Sequence, residues 1–126
     1  MPVGTSFTLS HDQLYASHLH VAALLERDIR VLVYVGAYDW LCNWVGNERW
    51  TLELEWSGQR EFAAEELREW LVNNKRAGRT RGRGSLVYAT VDGAGHMVCI
   101  NFTIWTRVGV TMIFVSRCRM ISPRRC

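Results

Sequence analysis

The sequence predicts a single α/β domain, and three features of the chain lead to that prediction. Apolar residues at helical spacing run through residues 11–26, a continuous apolar run follows over Ile29–Val35, and Gly36 ends that run. A helix, a short loop and a strand that is apolar on both faces are typical of an α/β sheet. With 126 residues, the chain has the length of one domain at most.

The first helix is predicted from its start signal and its apolar face. Ser10–Gln13 has the S-x-x-Q pattern of a capping box, in which each end satisfies an unpaired backbone N–H of the first turn. Leu14, Val21 and Leu25 then recur at helical spacing. The strand that follows places Asp39 just beyond its carboxyl end, where open α/β sheets hold their reactive side chains.

The middle of the chain predicts two further helices. Asn43 is a candidate N-cap for a helix that runs to about Leu54. A second helical spacing covers Glu61–Leu71, with Ala63, Leu67, Trp70 and Leu71 on one face. Five of the six tryptophans fall between Trp40 and Trp70. Packing is the favoured interpretation of these tryptophans, and an aromatic pocket wall is the alternative.

The segment before residue 98 predicts a turn, a strand and a loop that presents a histidine. Asn73-Asn74 suits a two-residue turn with positive φ angles, and Ser85–Val91 is a second β-branched, apolar run. Asp92–His96 is a glycine-rich loop. His96 and Asp39 each follow a strand, and a carboxylate bonded to an imidazole fixes its tautomer and stabilises the imidazolium. The two residues are therefore candidates for an acid–base pair.

Charge and cysteine usage change near residue 98. Residues 1–98 contain ten Lys or Arg against twelve Asp or Glu, a net charge of −2, whereas residues 99–126 contain five Arg and no acid, a net charge of +5. Residues 99–126 also hold Cys99, Cys118 and Cys126, whose disulfide state the sequence leaves open. We therefore expect residues 1–98 to be the folded body and residues 99–126 to be a divergent basic tail outside the native fold.

The composition and the motifs of the chain exclude several classes of protein. A hydrophobic content of 48% and a charged content of 21% exclude collagen-like and disordered chains. No apolar run approaches the roughly 20 residues that span a bilayer, and the first 13 residues lack the charged and apolar regions of a signal peptide. The chain has no C-x-x-C pair and no zinc-ligand spacing, so no metal or cofactor is expected.

Two longer motifs connect the candidate pair to a known family. The first has the pattern G-x-x-D-x-x-C-N-W-x-G-N after the buried strand, and the second has the pattern G-x-G-H-M-V in the later loop. The matching residues are Gly36, Asp39, Cys42, Asn43, Trp44, Gly46 and Asn47 in the first, and Gly93, Gly95, His96, Met97 and Val98 in the second. In both motifs, and over about residues 7–98, the chain resembles the serine carboxypeptidases of the carboxypeptidase Y type.

The resemblance implies an activity and a set of site residues. Members of this family are α/β-hydrolases that release C-terminal residues from peptides and proteins without a cofactor, and they are vacuolar or secreted. The resemblance makes Asp39 the acid of a catalytic triad and His96 its general base. It makes Cys42 a free thiol in the pocket for the residue before the scissile bond, and it makes Met97 part of the neighbouring subsite.

The resemblance also implies a fold in more detail. It predicts a partial α/β-hydrolase fold made of the C-terminal strands and helices of the sheet, together with a small antiparallel meander. Strands are expected near residues 69–72, 76–81 and 85–91, with turns at Asn73-Asn74 and Arg83-Gly84. The helix that begins at Glu61 is then expected to end near Arg68.

The triad serine has no counterpart in the 126 residues. Its G-x-S-x-G motif, which exposes the hydroxyl on a strained turn, does not occur; the nearest string, Gly4–Thr8, lacks the second glycine. We therefore expect a truncated piece of the enzyme that is inactive alone, with a non-catalytic fragment as the alternative. A third interpretation is RNA binding through the arginine- and glycine-rich residues 75–84, which are otherwise expected to form a solvated hairpin. Substrate C-termini are the expected partners, nucleic acid and membrane are not, and the oligomeric state stays open.

Overall fold

The computed structural model of the chain describes residues 16–96, which form three helices and four strands. The capping box Ser10–Gln13, the subsite candidate Met97 and the expected tail at 99–126 lie outside the described residues. No helix among the described residues is long and apolar enough to cross a bilayer. The elements are α1 (Ser17–Leu25), β1 (Val31–Gly36), α2 (Trp44–Leu52), α3 (Gln59–Ala64), β2 (Arg68–Val72), β3 (Lys75–Arg83) and β4 (Leu86–Val91).

The four strands form one mixed sheet in the order β1-β4-β3-β2. β1 and β4 are parallel, in a register that pairs Val31 with Leu86 and Gly36 with Val91. β4, β3 and β2 are joined antiparallel, which is the predicted meander. The α/β fold class is therefore confirmed for the described residues. Because β1 and β4 are parallel, the chain leaves both strands at the same edge of the sheet.

Both faces of β1 carry buried residues, as its continuous apolar sequence predicts. Val31, Leu32, Val33 and Val35 are all buried, because helices cover the strand. The hydrophobic cluster around it consists of Val21, Leu25, Val31, Val33, Val35, Leu54, Phe62, Leu86 and Tyr88. Partly buried tryptophans at 44, 50 and 56 pack against this cluster, which supports packing as their main role, whereas Trp40 is 86% exposed.

Local signals explain where α1 ends and where α2 begins. α1 ends at Leu25, and the chain reverses through Asp28, whose φ is 56°. α2 begins after Asn43, whose side-chain oxygen accepts the Gly46 N–H at 2.8 Å, so the predicted N-cap is confirmed. The helix ends at Leu52, two residues before the predicted end.

The helix predicted over Glu61–Leu71, and its revised end near Arg68, are both wrong. α3 ends at Ala64, and Glu65 is already extended, with φ −73° and ψ 142°. Arg68 begins β2, whose backbone pairs with β3, and these tertiary hydrogen bonds override a helical spacing that buries little. Ala63 is exposed and Leu71 is 59% exposed, so the expected apolar face does not form.

The turns of the meander follow from backbone angles. Asn73 and Asn74 have φ values of 51° and 59°, as the predicted two-residue turn requires. The second turn lies at Gly84-Ser85, one residue later than expected, because Arg83 still pairs with Leu86 and Gly84 takes the positive φ of 55°.

Candidate active site

Asp39 is placed by a tight turn at the carboxyl end of β1. Its backbone N–H donates to the Gly36 carbonyl at 3.1 Å. One carboxylate oxygen, Oδ1, accepts the backbone N–H groups of Cys42 at 2.9 Å and Leu41 at 3.1 Å. The side chain is buried. The turn therefore fixes one oxygen of the carboxylate and leaves Oδ2 to face another element.

The second carboxylate oxygen faces His96. Asp39 Oδ2 lies 2.9 Å from His96 Nδ1, although 57 residues separate the two along the chain. They meet because one follows β1 and the other follows β4 at the same edge of the sheet. The predicted juxtaposition is therefore what the structure shows, while the roles of acid and base stay a prediction. The His96 side chain is 50% exposed, so Nδ1 faces the buried carboxylate while part of the ring reaches solvent.

The environment of Asp39 favours its ionised form. Burial acts to raise the pKa of this carboxyl, but the hydrogen bonds from the Cys42 N–H, His96 and the Leu41 N–H outweigh that effect. The result is a pKa below the ordinary value. Asp39 is therefore a carboxylate at neutral pH, the form that orients an imidazole and stabilises an imidazolium.

Gly36 allows the His96 loop to cross the end of β1. A Cβ at this position would lie 2.4 Å from the carbonyl oxygens of both Ala94 and Gly95. The Tyr38 N–H donates to that Ala94 oxygen at 2.9 Å, which ties the loop to the β1 end. Sequence reasoning treated Gly36 as a strand terminator and a motif residue. Its steric role depends on a loop that arrives from far along the chain, so no local signal showed it.

Cys42 is buried and free, and Asn47 holds its backbone. The Asn47 Nδ2 donates to the carbonyl oxygens of Cys42 at 2.9 Å and Asn43 at 3.0 Å, and Trp50 donates to its Oδ1 at 3.0 Å. Cys42 also lies on a cleft of about 380 Å³. The lining residues of the cleft are His18, Leu41, Cys42, Asn43, Gly46, Asn47, Arg49, Trp50, Glu53 and Leu54. Trp50 therefore also lines a cleft, which was the alternative interpretation of the tryptophans. A substrate pocket at Cys42 stays a prediction.

The thiol of Cys42 also lies close to Asp39 and His96. One donor atom from each of Asp39, Cys42 and His96 lies within 4.8 Å of the other two. Sequence spacing predicted no metal site, because the third member comes from a different strand end. This three-residue group is a second feature of the site, besides the steric role of Gly36, that sequence reasoning missed.

The arginine- and glycine-rich run forms β3, and three of its arginines face acids. Arg76 contacts two carboxylates, Arg81 one and Arg83 two, at distances from 2.9 to 3.4 Å. These ion pairs neutralise arginine side chains whose positive charge would otherwise be available to the phosphates of RNA. The acids are Glu69 and Asp92 for Arg76, Glu48 for Arg81, and Glu61 and Glu65 for Arg83. The structure thus adds no support to RNA binding.

Comparison with known proteins points to one family. The family model described as serine carboxypeptidase matches residues 4–107, nine residues beyond Val98. Serine carboxypeptidase-like 48 of Arabidopsis thaliana is 50% identical over 78 residues, and serine carboxypeptidase 3 of Triticum aestivum is 47% identical over 78 residues. Carboxypeptidase Y of Schizosaccharomyces pombe is 48% identical over 81 residues.

The match covers most of this chain and little of each relative. The aligned part is 62% of this chain for the two plant proteins and 64% for the yeast protein. It covers 15%, 16% and 8% of the Arabidopsis, wheat and yeast relatives, respectively. The chain therefore spans less than a fifth of the length of these three curated relatives.

Proposed function

Because the chain belongs to the serine carboxypeptidase family, we propose that it carries the acid and the general base of a serine-type carboxypeptidase site. The observation that supports the proposal most is the 2.9 Å contact between Asp39 Oδ2 and His96 Nδ1. The four-stranded sheet would then be the C-terminal part of an α/β-hydrolase fold, in which the acid and the histidine follow the nucleophile along the chain.

The proposed chemistry divides the work between the two residues. Asp39 keeps the proton of His96 on Nδ1, so that Nε2 is free to accept a proton from a serine hydroxyl. When the ring becomes an imidazolium, the ionised Asp39 stabilises it at 2.9 Å. His96 then returns that proton to the leaving amine. The half-exposed ring is compatible with contact to groups outside residues 16–96.

The nucleophile in this proposal comes from outside the 126 residues. No G-x-S-x-G string occurs among them, and the relatives are several times longer. The oxyanion hole would be missing as well, since one of its N–H groups belongs to the residue after the nucleophile. Loss of one such donor costs on the order of 100- to 1,000-fold in turnover. We therefore expect the chain alone to be inactive. The alternative interpretation, a non-catalytic fragment, predicts the same result.

The substrate in this proposal is the C-terminus of a peptide or protein in a vacuolar or secreted compartment. Cys42, which lies on the cleft beside the Asp39 turn, would contact the residue before the scissile bond. Met97, the residue after His96, would contribute to the neighbouring subsite. Both assignments follow the family motifs that the chain shares.

Nitrogen NMR of the His96 ring tests the proposed acid–base pair. We expect the neutral form of the ring to carry its proton on Nδ1, and we expect Asp39→Asn to shift the neutral ring toward the other tautomer. Asp92→Asn is the matched control, because Asp92 precedes His96 by four residues but is paired with Arg76 at 2.9 Å. A ring whose ¹⁵N shifts are the same in the parent and in Asp39→Asn would refute the pair.

Labelling with a fluorophosphonate tests the absence of a nucleophile. We expect no covalent adduct on the 126-residue chain and no release of C-terminal residues from peptide substrates. A stoichiometric adduct at one serine that His96→Ala abolishes would show that the chain has its own nucleophile.

A further inference from the structure

We propose that Asp39, Cys42 and His96 form a binding site for Zn²⁺. One donor atom from each residue lies within 4.8 Å of the other two. A carboxylate oxygen, a thiolate sulfur and an imidazole nitrogen are the three donor types that proteins use for zinc, and three protein ligands leave a fourth position open to water.

The donor spacing is close to that of a zinc site. With metal–ligand distances of 2.0 to 2.3 Å and tetrahedral angles, two ligand atoms lie about 3.4 Å apart. The Asp39–His96 contact of 2.9 Å must therefore open by about 0.5 Å, and no donor pair needs to close by more than about 1.4 Å. Rotation of the half-exposed His96 ring can adjust the two separations that involve its nitrogen without displacing the sheet.

The surroundings hold two of the donors in place and give the metal a way in. Oδ1 of Asp39 is fixed by two backbone N–H groups, which leaves Oδ2 available as the ligand. Asn47 donates to the Cys42 carbonyl oxygen at 2.9 Å and so fixes the turn that carries the thiol. Access comes from the side of His96, whose side chain is 50% exposed.

Binding requires one proton transfer and no change of oxidation state. The Cys42 S–H bond breaks, the proton passes to solvent, and a bond forms between the sulfur and Zn²⁺. His96 binds through a neutral nitrogen, and Asp39 binds as the carboxylate that it already is. A bound metal would replace the Asp39–His96 hydrogen bond on which the proposed proton transfer depends, so the zinc-bound and active forms exclude each other. That consequence rests on the proposed function, whereas the binding itself does not.

The test uses the full chain with Cys99, Cys118 and Cys126 changed to serine, so that Cys42 is the one remaining thiol. Titration with Co²⁺, a spectroscopic substitute for zinc, is expected to produce a thiolate-to-metal charge-transfer band that added Zn²⁺ abolishes. Cys42→Ser should abolish this band. His96→Ala should weaken binding of both metals by at least about tenfold. His20→Ala, which removes an exposed imidazole on α1, is the matched control and should bind as the parent does.

For variants that fold, two results would overturn the metal site. One is the absence of a charge-transfer band at saturating Co²⁺, and the other is Zn²⁺ affinity that does not change in His96→Ala. Circular dichroism identifies variants that fail to fold. For these, Zn²⁺-dependent shifts of the His96 ring nitrogens in the protein with all three ligands intact replace the affinity comparison, and unchanged shifts would also reject the site. Metal binding with no effect of Asp39→Asn on the metal-free ring would refute the proposed acid–base pair and leave the metal site intact.

Discussion

The change Gly36→Ala tests whether the end of β1 positions the histidine loop. In the present backbone, the new Cβ would lie 2.4 Å from the carbonyl oxygens of Ala94 and Gly95 and 2.7 Å from the carbonyl carbon of Ala94. Non-bonded heavy atoms have their optimum near 3.5 Å, so the loop must retreat by about 1 Å. These are backbone atoms, and they cannot move away by changing a rotamer.

A retreat of this size affects both stability and the site. Overpacking of this kind costs about 1–3 kcal/mol of unfolding free energy. The Tyr38 N–H bond to the Ala94 oxygen, now 2.9 Å, would stretch or break. The His96–Asp39 contact would lengthen from 2.9 Å toward the limit of a hydrogen bond. We therefore expect a loss of stability together with a shift of the His96 ring toward the other tautomer.

Two measurements on Gly36→Ala and one control variant decide the matter. Urea unfolding gives the free-energy change, and the ring ¹⁵N shifts of His96 report its protonated nitrogen. Gly95→Ala is the control, because a Cβ at that position meets nothing within 4 Å and lies next to the same histidine. The reasoning is refuted if Gly36→Ala and Gly95→Ala have the same unfolding free energy and the same ring shifts.

Three further predictions concern stability. Asn43→Ala should lose about 1 kcal/mol of unfolding free energy, because the cap to the Gly46 N–H disappears, whereas Asn43→Ser should retain most of it; urea titration measures both, and equal values would contradict the cap. Asn74→Ala should lose about 1–2 kcal/mol of unfolding free energy because residue 74 has a φ of 59°, whereas Asn74→Gly should not. Thermal unfolding measures both variants, and an equal loss in the two would contradict this explanation. The pKa of Asp39 is lowered on folding, so its contribution to the unfolding free energy is fully present above the unfolded pKa of about 3.9 and is lost as the pH falls through the lower folded value. Urea titrations between about pH 6 and about pH 2 should show this loss in the parent and not in Asp39→Asn. Stability curves of the two proteins that run parallel with pH would contradict it.

The sequence predicted those parts of the fold in which local pattern and tertiary structure agree. β1 is apolar on both faces and is buried on both faces, and Asn43 caps the helix that it was expected to cap. α3 shows the opposite case, because its helical spacing continues past Ala64 while the chain from Arg68 pairs with β3. A local pattern cannot show which distant strand will compete for the backbone hydrogen bonds.

The candidate site, like the fold, has features that the sequence predicts and features that depend on tertiary packing. Asp39 and His96 were found because each follows a strand and lies in a specific motif, and parallel pairing of β1 with β4 brings them to 2.9 Å. The position of Cys42 beside both, and the fit of the loop over Gly36, depend on side-chain and backbone packing between segments that are distant along the chain. Spacing along the sequence carries no information about such distances.

The central claim is that this chain supplies a working acid and base, and a graft tests it most directly. Residues 16–96 of this chain replace the corresponding segment of the Schizosaccharomyces pombe carboxypeptidase Y, which is 48% identical to this chain over 81 residues, and peptide turnover is measured. We predict an active chimera in which His96→Ala lowers kcat by at least about 1,000-fold and Asp39→Asn by about 10,000-fold, while Asp92→Asn leaves it unchanged. A folded, active chimera whose turnover survives both His96→Ala and Asp39→Asn would contradict the claim.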